Sequence, residues 1–236
     1  MKRFVFFVAL VALTAASVAG CSPKEVPQLD RQSLKLYVGE QARLTADRSV
    51  AWGSADDFYA TVDEQGTVTA QHVGTTTTVV AATGSGQAVC TVEIMPRYNT
   101  FVEPLYELFG QPMEAIATLE TGEIIQTEQL HDRLKMVSIK EDNPKLKSRS
   151  YFCFLYGEVF RVKIMRLEAY KKDIEEIIGF CEERYEVAQG DAYPFSYKYP
   201  GNYSFPHTCG ITVCESTNSQ DIVEILYEAA FPVNNL

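Results

Sequence analysis

The chain has 236 residues, of which 46% are hydrophobic and 22% are charged, with 21 Lys and Arg against 31 Asp and Glu. This composition excludes collagen-like, disordered and polytopic membrane proteins, and the length suits one or two globular domains. The formal net charge of -10 argues against nucleic acid as a partner, because phosphate contacts need clustered basic side chains.

The N-terminus has the pattern of a secretion signal that ends in a cysteine. A basic start is followed by ten apolar residues over 4–13, a run too short to cross the ~30 Å hydrocarbon core. The small residues 17–20 then lead into Cys21, and this ending resembles the lipobox of bacterial lipoproteins. The resemblance implies removal of the signal peptide 1–20 and attachment of a diacylglycerol thioether at Cys21. The alternative is an ordinary secretory signal with an incidental thiol.

Lipidation at Cys21 predicts a protein that is anchored to a membrane and does not span it. Several acyl chains, at ~0.8 kcal/mol per buried methylene, hold a folded body firmly. Residues 21–28 contain two prolines and no periodicity, which predicts a short lipidated tether. Ser22 after the cysteine resembles signals that permit transfer to the outer membrane. We therefore expect a cell-envelope location, at the outer membrane in preference to the inner one, facing the periplasm or the surface.

Residues 29–96 consist of short alternating segments separated by turn residues. Leu34, Leu36 and Val38 share one face, as a half-buried antiparallel strand requires. Seven such segments in under seventy residues predict a small β-sandwich. The segments cover residues 33–38, 41–46, 50–53, 60–62, 67–70, 75–83 and 88–94.

An ordered set of stretches in this region resembles the bacterial immunoglobulin-like domain of group 2. The stretches are residues 36–40, 44–46, 50–56, 60–63, 66–70, 73–75 and 90–92. The resemblance implies an all-β spacer or adhesion module and supplies no catalytic residue. Cys90 has no partner cysteine in the segment, so no inter-sheet disulfide can form. We expect Trp52 to pack in the core and His72 to lie in a turn, as neither belongs to a set of ligands.

Residues 97–236 carry both helix and strand patterns. Short helices are predicted over 100–110 and 112–122, and the apolar stripe from Leu167 to Tyr185 predicts a long helix of about five turns. Strands are predicted over 134–139, 150–156, 159–166, 207–214 and 221–227, with a two-residue hairpin turn at Gly157 and Glu158. The expected architecture is an α+β domain, in which one long helix covers an antiparallel sheet.

The sequence predicts no catalytic residue, metal site or cofactor. Cys209 and Cys214 differ by an odd number, so a strand would direct them to opposite faces and prevent a shared metal with His207. A nucleophilic pair of a cysteine with His131 or His207 lacks any family signature. We expect the five thiols other than that of Cys21 to serve packing, at Cys90, Cys153, Cys181, Cys209 and Cys214.

Residues 193–205 hold six aromatic side chains among Pro and Gly turns. Exposed rings stack on sugars or anchor protein partners, because they bury a large area at low entropy cost. The alternative is a β-hairpin around residues 200–202 in which half of the rings fill the core. The candidate binding surface comprises Tyr193, Tyr197, Tyr199, Tyr203 and Phe205.

These patterns together predict a non-enzymatic envelope lipoprotein that presents a C-terminal binding domain on an immunoglobulin-like spacer. Its partner would be a glycan, a protein or another envelope component. One alternative is an envelope enzyme with residues 97–236 as the catalytic unit. Another is an assembly component that pairs with a protein through a sheet edge or an aromatic patch.

Overall fold

The structure is a computed structural model of the full chain, and it describes residues 26–73, 77–84, 86–189, 195–198 and 208–230. Their buried apolar side chains form two separate hydrophobic cores, one in an N-terminal β-sandwich and the other against a C-terminal sheet. The predicted signal peptide, Cys21 and most of the predicted tether lie outside the described residues.

The N-terminal sandwich contains seven strands close to the predicted segments. A four-stranded sheet has the order β1-β7-β6-β3, and a three-stranded sheet has the order β2-β5-β4. The prediction of antiparallel pairing is wrong for β1, which runs parallel to β7, because alternation fixes a buried face and not a strand direction. The strands are β1 (Ser33–Tyr37), β2 (Gln41–Arg43), β3 (Ala51–Ser54), β4 (Ala60–Val62), β5 (Thr67–Ala70), β6 (Thr77–Thr83) and β7 (Gly86–Met95).

The turn between β4 and β5 depends on Gly66. Its φ of 80° lies in the left-handed region, and an added Cβ would come within 2.6 Å of the Leu44 carbonyl oxygen and 2.9 Å of the Trp52 ring. Trp52 is half-buried and packs against the core of the sandwich, as predicted. Gly39 also has positive φ, yet no atom lies within 4 Å of its added Cβ. A side chain at position 39 would therefore strain only the backbone, whereas one at position 66 would also clash with neighbouring atoms.

The C-terminal sheet is antiparallel and has eight strands in the order β12-β13-β14-β15-β11-β10-β9-β8. The predicted hairpin is confirmed, since Tyr156 pairs with Val159 around the turn at Gly157. Two strands, β8 and β12, fall where no strand was predicted, and β13 lies in the stretch for which a hairpin around residues 200–202 was the alternative. The strands are β8 (Ile124–His131), β9 (Leu134–Ile139), β10 (Leu146–Tyr156), β11 (Val159–Tyr170), β12 (Glu186–Gln189), β13 (Phe195–Lys198), β14 (Thr208–Glu215) and β15 (Ile222–Ala230).

The prediction of a long covering helix from Leu167 to Tyr185 is wrong, because the helix is shorter and the C-terminal unit is mostly sheet. Residues 167–170 belong to β11, where they pair with β10 on one side and β15 on the other. A 3-10 turn at Lys171–Asp173 then leads into α2 (Ile174–Glu182), which has nine residues. The predicted N-terminal helices shrink similarly, to 3-10 turns at Tyr106–Leu108 and Met113–Ala115 and the single-turn α1 (Ile116–Leu119).

These short helical segments lie on one face of the sheet and complete its core. Leu108, Ile116, Ile177 and Phe180 are almost fully buried against the sheet. Side chains on the opposite face of the sheet, such as Phe152, Ile164 and Leu226, are half-buried.

Candidate binding surface

The candidate site is the face of the C-terminal sheet that is opposite the helical segments, called the open face below. Cross-strand register places residues from five strands, β9, β10, β11, β15 and β14, in a row that runs across this face. A second row lies beside it, and most of the residues in both rows are half-buried or exposed. The first row is Met136, Phe152, Ile164, Glu228 and Gly210, and the second is Ser138, Ser150, Arg166, Leu226 and Thr212.

Basic side chains lie over the aromatic rings of the open face. The Arg166 guanidinium is 5.0 Å from the ring centroid of Phe152, and the Lys163 ammonium is 5.4 Å from that of Phe154. Lys163 also forms a 2.9 Å ion pair with Glu228. The hydrogen bond to that carboxylate raises the pKa of Lys163, so its ammonium stays charged at neutral pH. A partner that displaces these cations gains access to apolar rings as well as to charged groups.

A shallow groove crosses one end of the open face. Its volume is about 430 Å³, and the Lys163–Glu228 pair lies in its wall. Gly210 contributes no side chain, and an added Cβ there would meet one atom within 4 Å, the Glu228 carbonyl oxygen at 3.9 Å. The groove therefore has room for a larger side chain at position 210. Its lining is Tyr156, Lys163, Gly210, Thr212, Glu228, Ala229 and Ala230.

A buried carboxylate at the end of α2 joins the C-terminal sheet to the sandwich. The Glu183 carboxylate accepts hydrogen bonds of 3.0 Å from the backbone N–H groups of Arg97 and Tyr98. Its backbone oxygen accepts the N–H of Val73, a residue of the sandwich, at 2.6 Å. The Arg97 guanidinium in turn lies over the ring of Tyr37, 5.2 Å from its centroid. These contacts hold the sandwich and the sheet in a defined relative orientation.

The predicted aromatic surface is described at one of its five residues. Tyr197 lies in β13 opposite Ile211, and 2% of its surface is exposed. It fills the core, as the alternative prediction for this stretch required, and it does not contribute a ring to the surface. Tyr193, Tyr199, Tyr203 and Phe205 lie outside the described residues, so their role as a surface stays a prediction.

The described thiols have the environments expected for packing. Cys90, Cys153, Cys181 and Cys209 are buried, Cys214 is half-buried, and all five are free thiols. Burial raises the pKa of Cys153, Cys181 and Cys209 to about 12, which keeps them protonated and unreactive at neutral pH.

The Nδ1–H of His72 donates a 2.7 Å hydrogen bond to the Phe58 carbonyl oxygen, and the imidazole stacks on the ring of that residue. Across the described ranges, no three His, Cys, Asp or Glu side chains are placed to hold a metal ion. His207 is not among the described residues. The pairing of a cysteine with that histidine therefore stays open.

Two polar clusters that the sequence did not reveal lie inside the C-terminal unit. In one, the Tyr185 hydroxyl donates to the Glu103 carboxylate at 3.0 Å. In the other, the Tyr151 hydroxyl donates to Glu120 at 2.6 Å, and the Arg149 guanidinium lies 3.4 Å from the same carboxylate. Tyr151 and Tyr185 are each 1% exposed, and their residue types gave no sequence signal for pairing. Both clusters tie loop segments to the sheet.

The two units that meet at Glu183 have different folds, a β-sandwich and a single antiparallel sheet covered on one face. The N-terminal unit is an immunoglobulin-like β-sandwich, and residues 20–92 match the family model of the bacterial Ig-like domain (group 2). This segment therefore belongs to that family of domains, and the match ends before the C-terminal sheet. A search of curated proteins finds no match to the chain. Within the described residues, no helix combines the length and apolar character needed to cross a membrane.

Proposed function

We propose that the chain is a lipid-anchored envelope protein in which the Ig-like domain is a spacer and the C-terminal sheet binds a protein partner through its open face. The observation that carries the proposal is the asymmetry of the sheet. One face is covered by helical segments, whereas the other presents half-buried Phe152, Ile164 and Leu226 among paired charges. A group of partly exposed apolar side chains rimmed by polar ones is a common feature of interaction surfaces.

A protein partner fits this surface better than a small ligand does. Small-molecule sites are concave and enclose most of the ligand, but the groove beside Gly210 is shallow and opens onto a broad sheet. Arg166 over the ring of Phe152 brings together Arg and an aromatic residue, two residue types that are enriched at protein interfaces.

The spacer role is supported by the family of residues 20–92 and by the junction at Glu183. Group 2 Ig-like domains occur in bacterial surface proteins. A sandwich fixed to the sheet through a buried carboxylate would hold the open face at one orientation to the sandwich, instead of leaving it on a free linker. The lipobox resemblance at Cys21 supplies the anchor in this proposal.

Affinity capture from envelope extracts tests the binding role. The open-face variant Gly210→Val places a side chain in the groove without a backbone clash, and a β-branched residue suits a strand. The matched control is Gly53→Val in β3, where no atom lies within 4 Å of the added Cβ. We expect the wild type and Gly53→Val to retain the same partner and Gly210→Val to lose it. Equal capture by all three chains would contradict the proposal.

A further inference from the structure

The edge of the C-terminal sheet formed by β8 is unusually exposed. All eight of its residues are exposed, on both faces of the strand, and β8 pairs with β9 on one side as the last strand in the sheet order. Three of its side chains, Ile124, Ile125 and Leu130, are among the exposed large hydrophobic residues, with Ile125 60% exposed. An edge strand leaves a row of backbone N–H and C=O groups free to pair with another strand.

The residues that usually protect such an edge are missing from β8. It contains neither lysine nor proline, and Glu128 is its one acidic residue. The register of β8 on β9 skips Ile125 and Leu130, so a bulge lies near each end of a regular stretch from Gln126 to Gln129. Bulges shorten the edge that is free to pair. They also turn one apolar side chain outward at each end of that stretch.

The strand is complementary to itself when two copies run antiparallel. A two-fold axis through Thr127, perpendicular to the sheet, places Gln126 opposite Glu128, an amide opposite a carboxylate. The same axis places Ile124 opposite Leu130 of the other copy and Ile125 opposite Gln129. It also avoids a Glu128–Glu128 pair, which an axis through Glu128 would create. Each apolar end thus meets an apolar end, and the polar centre meets a polar centre.

We infer that two copies of this chain associate through β8, so that their C-terminal sheets join edge to edge across Thr127. The occupant is a second copy because the apolar–polar–apolar order of β8 matches its own reverse. The strand pairing is short, so the association is weak between free molecules, and it gains from anything that holds copies close together. The inference uses the edge of the sheet and does not depend on binding by the open face.

Disulfide trapping tests the register of this association. Thr127→Cys places two thiols next to each other on the two-fold axis. The control Val187→Cys places an exposed thiol on β12, the opposite edge of the sheet, where Val187 is 57% exposed. Both variants are made in the full-length chain expressed in its own envelope and treated with a mild oxidant. We expect a species of twice the mass, reversed by reductant, from Thr127→Cys and background levels from Val187→Cys.

A second substitution separates specific pairing from chance collision. Ile125→Lys in the Thr127→Cys chain puts a charge at each apolar end of the interface and should reduce the trapped species several-fold. Trapping at Thr127 that is absent, or equal to that at Val187, or unchanged by Ile125→Lys overturns the inference. Capture of a partner by the open face is read in a separate experiment, so either proposal can fail without the other.

Discussion

The junction between the sandwich and the C-terminal sheet at Glu183 allows the most quantitative prediction. Glu183→Ala removes a carboxylate that is 5% exposed and accepts two backbone N–H groups, those of Arg97 and Tyr98, at 3.0 Å. Hydrogen bonds to a charged group contribute about 1.5–3 kcal/mol each, so the loss lies between about 3 and 6 kcal/mol. We expect a value near the lower limit, about 3 kcal/mol, because these two hydrogen bonds are only partly buried.

Urea unfolding of the secreted Cys21→Ser chain measures this loss. Far-ultraviolet circular dichroism follows both units, and fluorescence of Trp52, the single tryptophan, follows the sandwich. The matched control is Glu182→Ala, which removes the exposed neighbouring carboxylate and should change the free energy of unfolding by less than about 0.5 kcal/mol. The reasoning about the junction is refuted if Glu183→Ala is as mild as Glu182→Ala.

Three further predictions concern the sandwich and the buried thiols. Gly66→Ala should destabilise the sandwich by more than about 2 kcal/mol, and Gly39→Ala by about 1 kcal/mol. Both substitutions strain a backbone of positive φ, but only position 66 lacks room for a Cβ. Thermal unfolding of the two variants tests this order. Iodoacetamide at pH 8 should leave Cys153, Cys181 and Cys209 unmodified until denaturant is added. Intact mass measures the labelling, and rapid labelling of these thiols in the native chain would contradict their burial. The pKa of these three thiols, about 12, lies above the unfolded value near 9. Their contribution to stability is therefore complete below pH 9 and declines as pH rises toward 12. Urea titrations at several alkaline pH values should show this decline in the free energy of unfolding.

The sandwich was predictable because its signals are local. Alternating residues such as Leu34 and Leu36 identify a strand with one buried face, and glycines such as Gly66 mark the turns. The parallel pairing of β1 with β7 joins segments more than fifty residues apart, and no local pattern encodes strand direction. The number of strands therefore came from the sequence, whereas the sheet topology required the structure.

The long-helix prediction failed where two periodicities overlap. Leu167 and Tyr170 fit a helical stripe, yet Leu167 and Ala169 also alternate as a strand does, and both are buried in β11. Pairing with strands on both sides extends β11 to Tyr170 and leaves nine residues for α2. Tertiary pairing thus decided between two readings that the local sequence could not separate.

The candidate surfaces were beyond the reach of sequence patterns. β8 has no alternation because neither of its faces is buried, so its eight residues carry no strand signal. On β10, Cys153 and Phe152 are both apolar, and only the packing of the helical segments determines that Cys153 faces the core and Phe152 the open face. A cysteine and a phenylalanine give no indication of which face a neighbouring segment covers.

The claim that the chain is a lipid-anchored envelope protein is tested most directly by the mass of its N-terminal peptide. The protein is extracted with detergent from its own cells, digested, and examined by mass spectrometry. We predict a mature chain that begins at Cys21 and carries a diacylglyceryl group on its sulfur, with that mass absent from Cys21→Ser. A mature chain that retains residues before Cys21, or one in which the Cys21 thiol is free, would contradict the account.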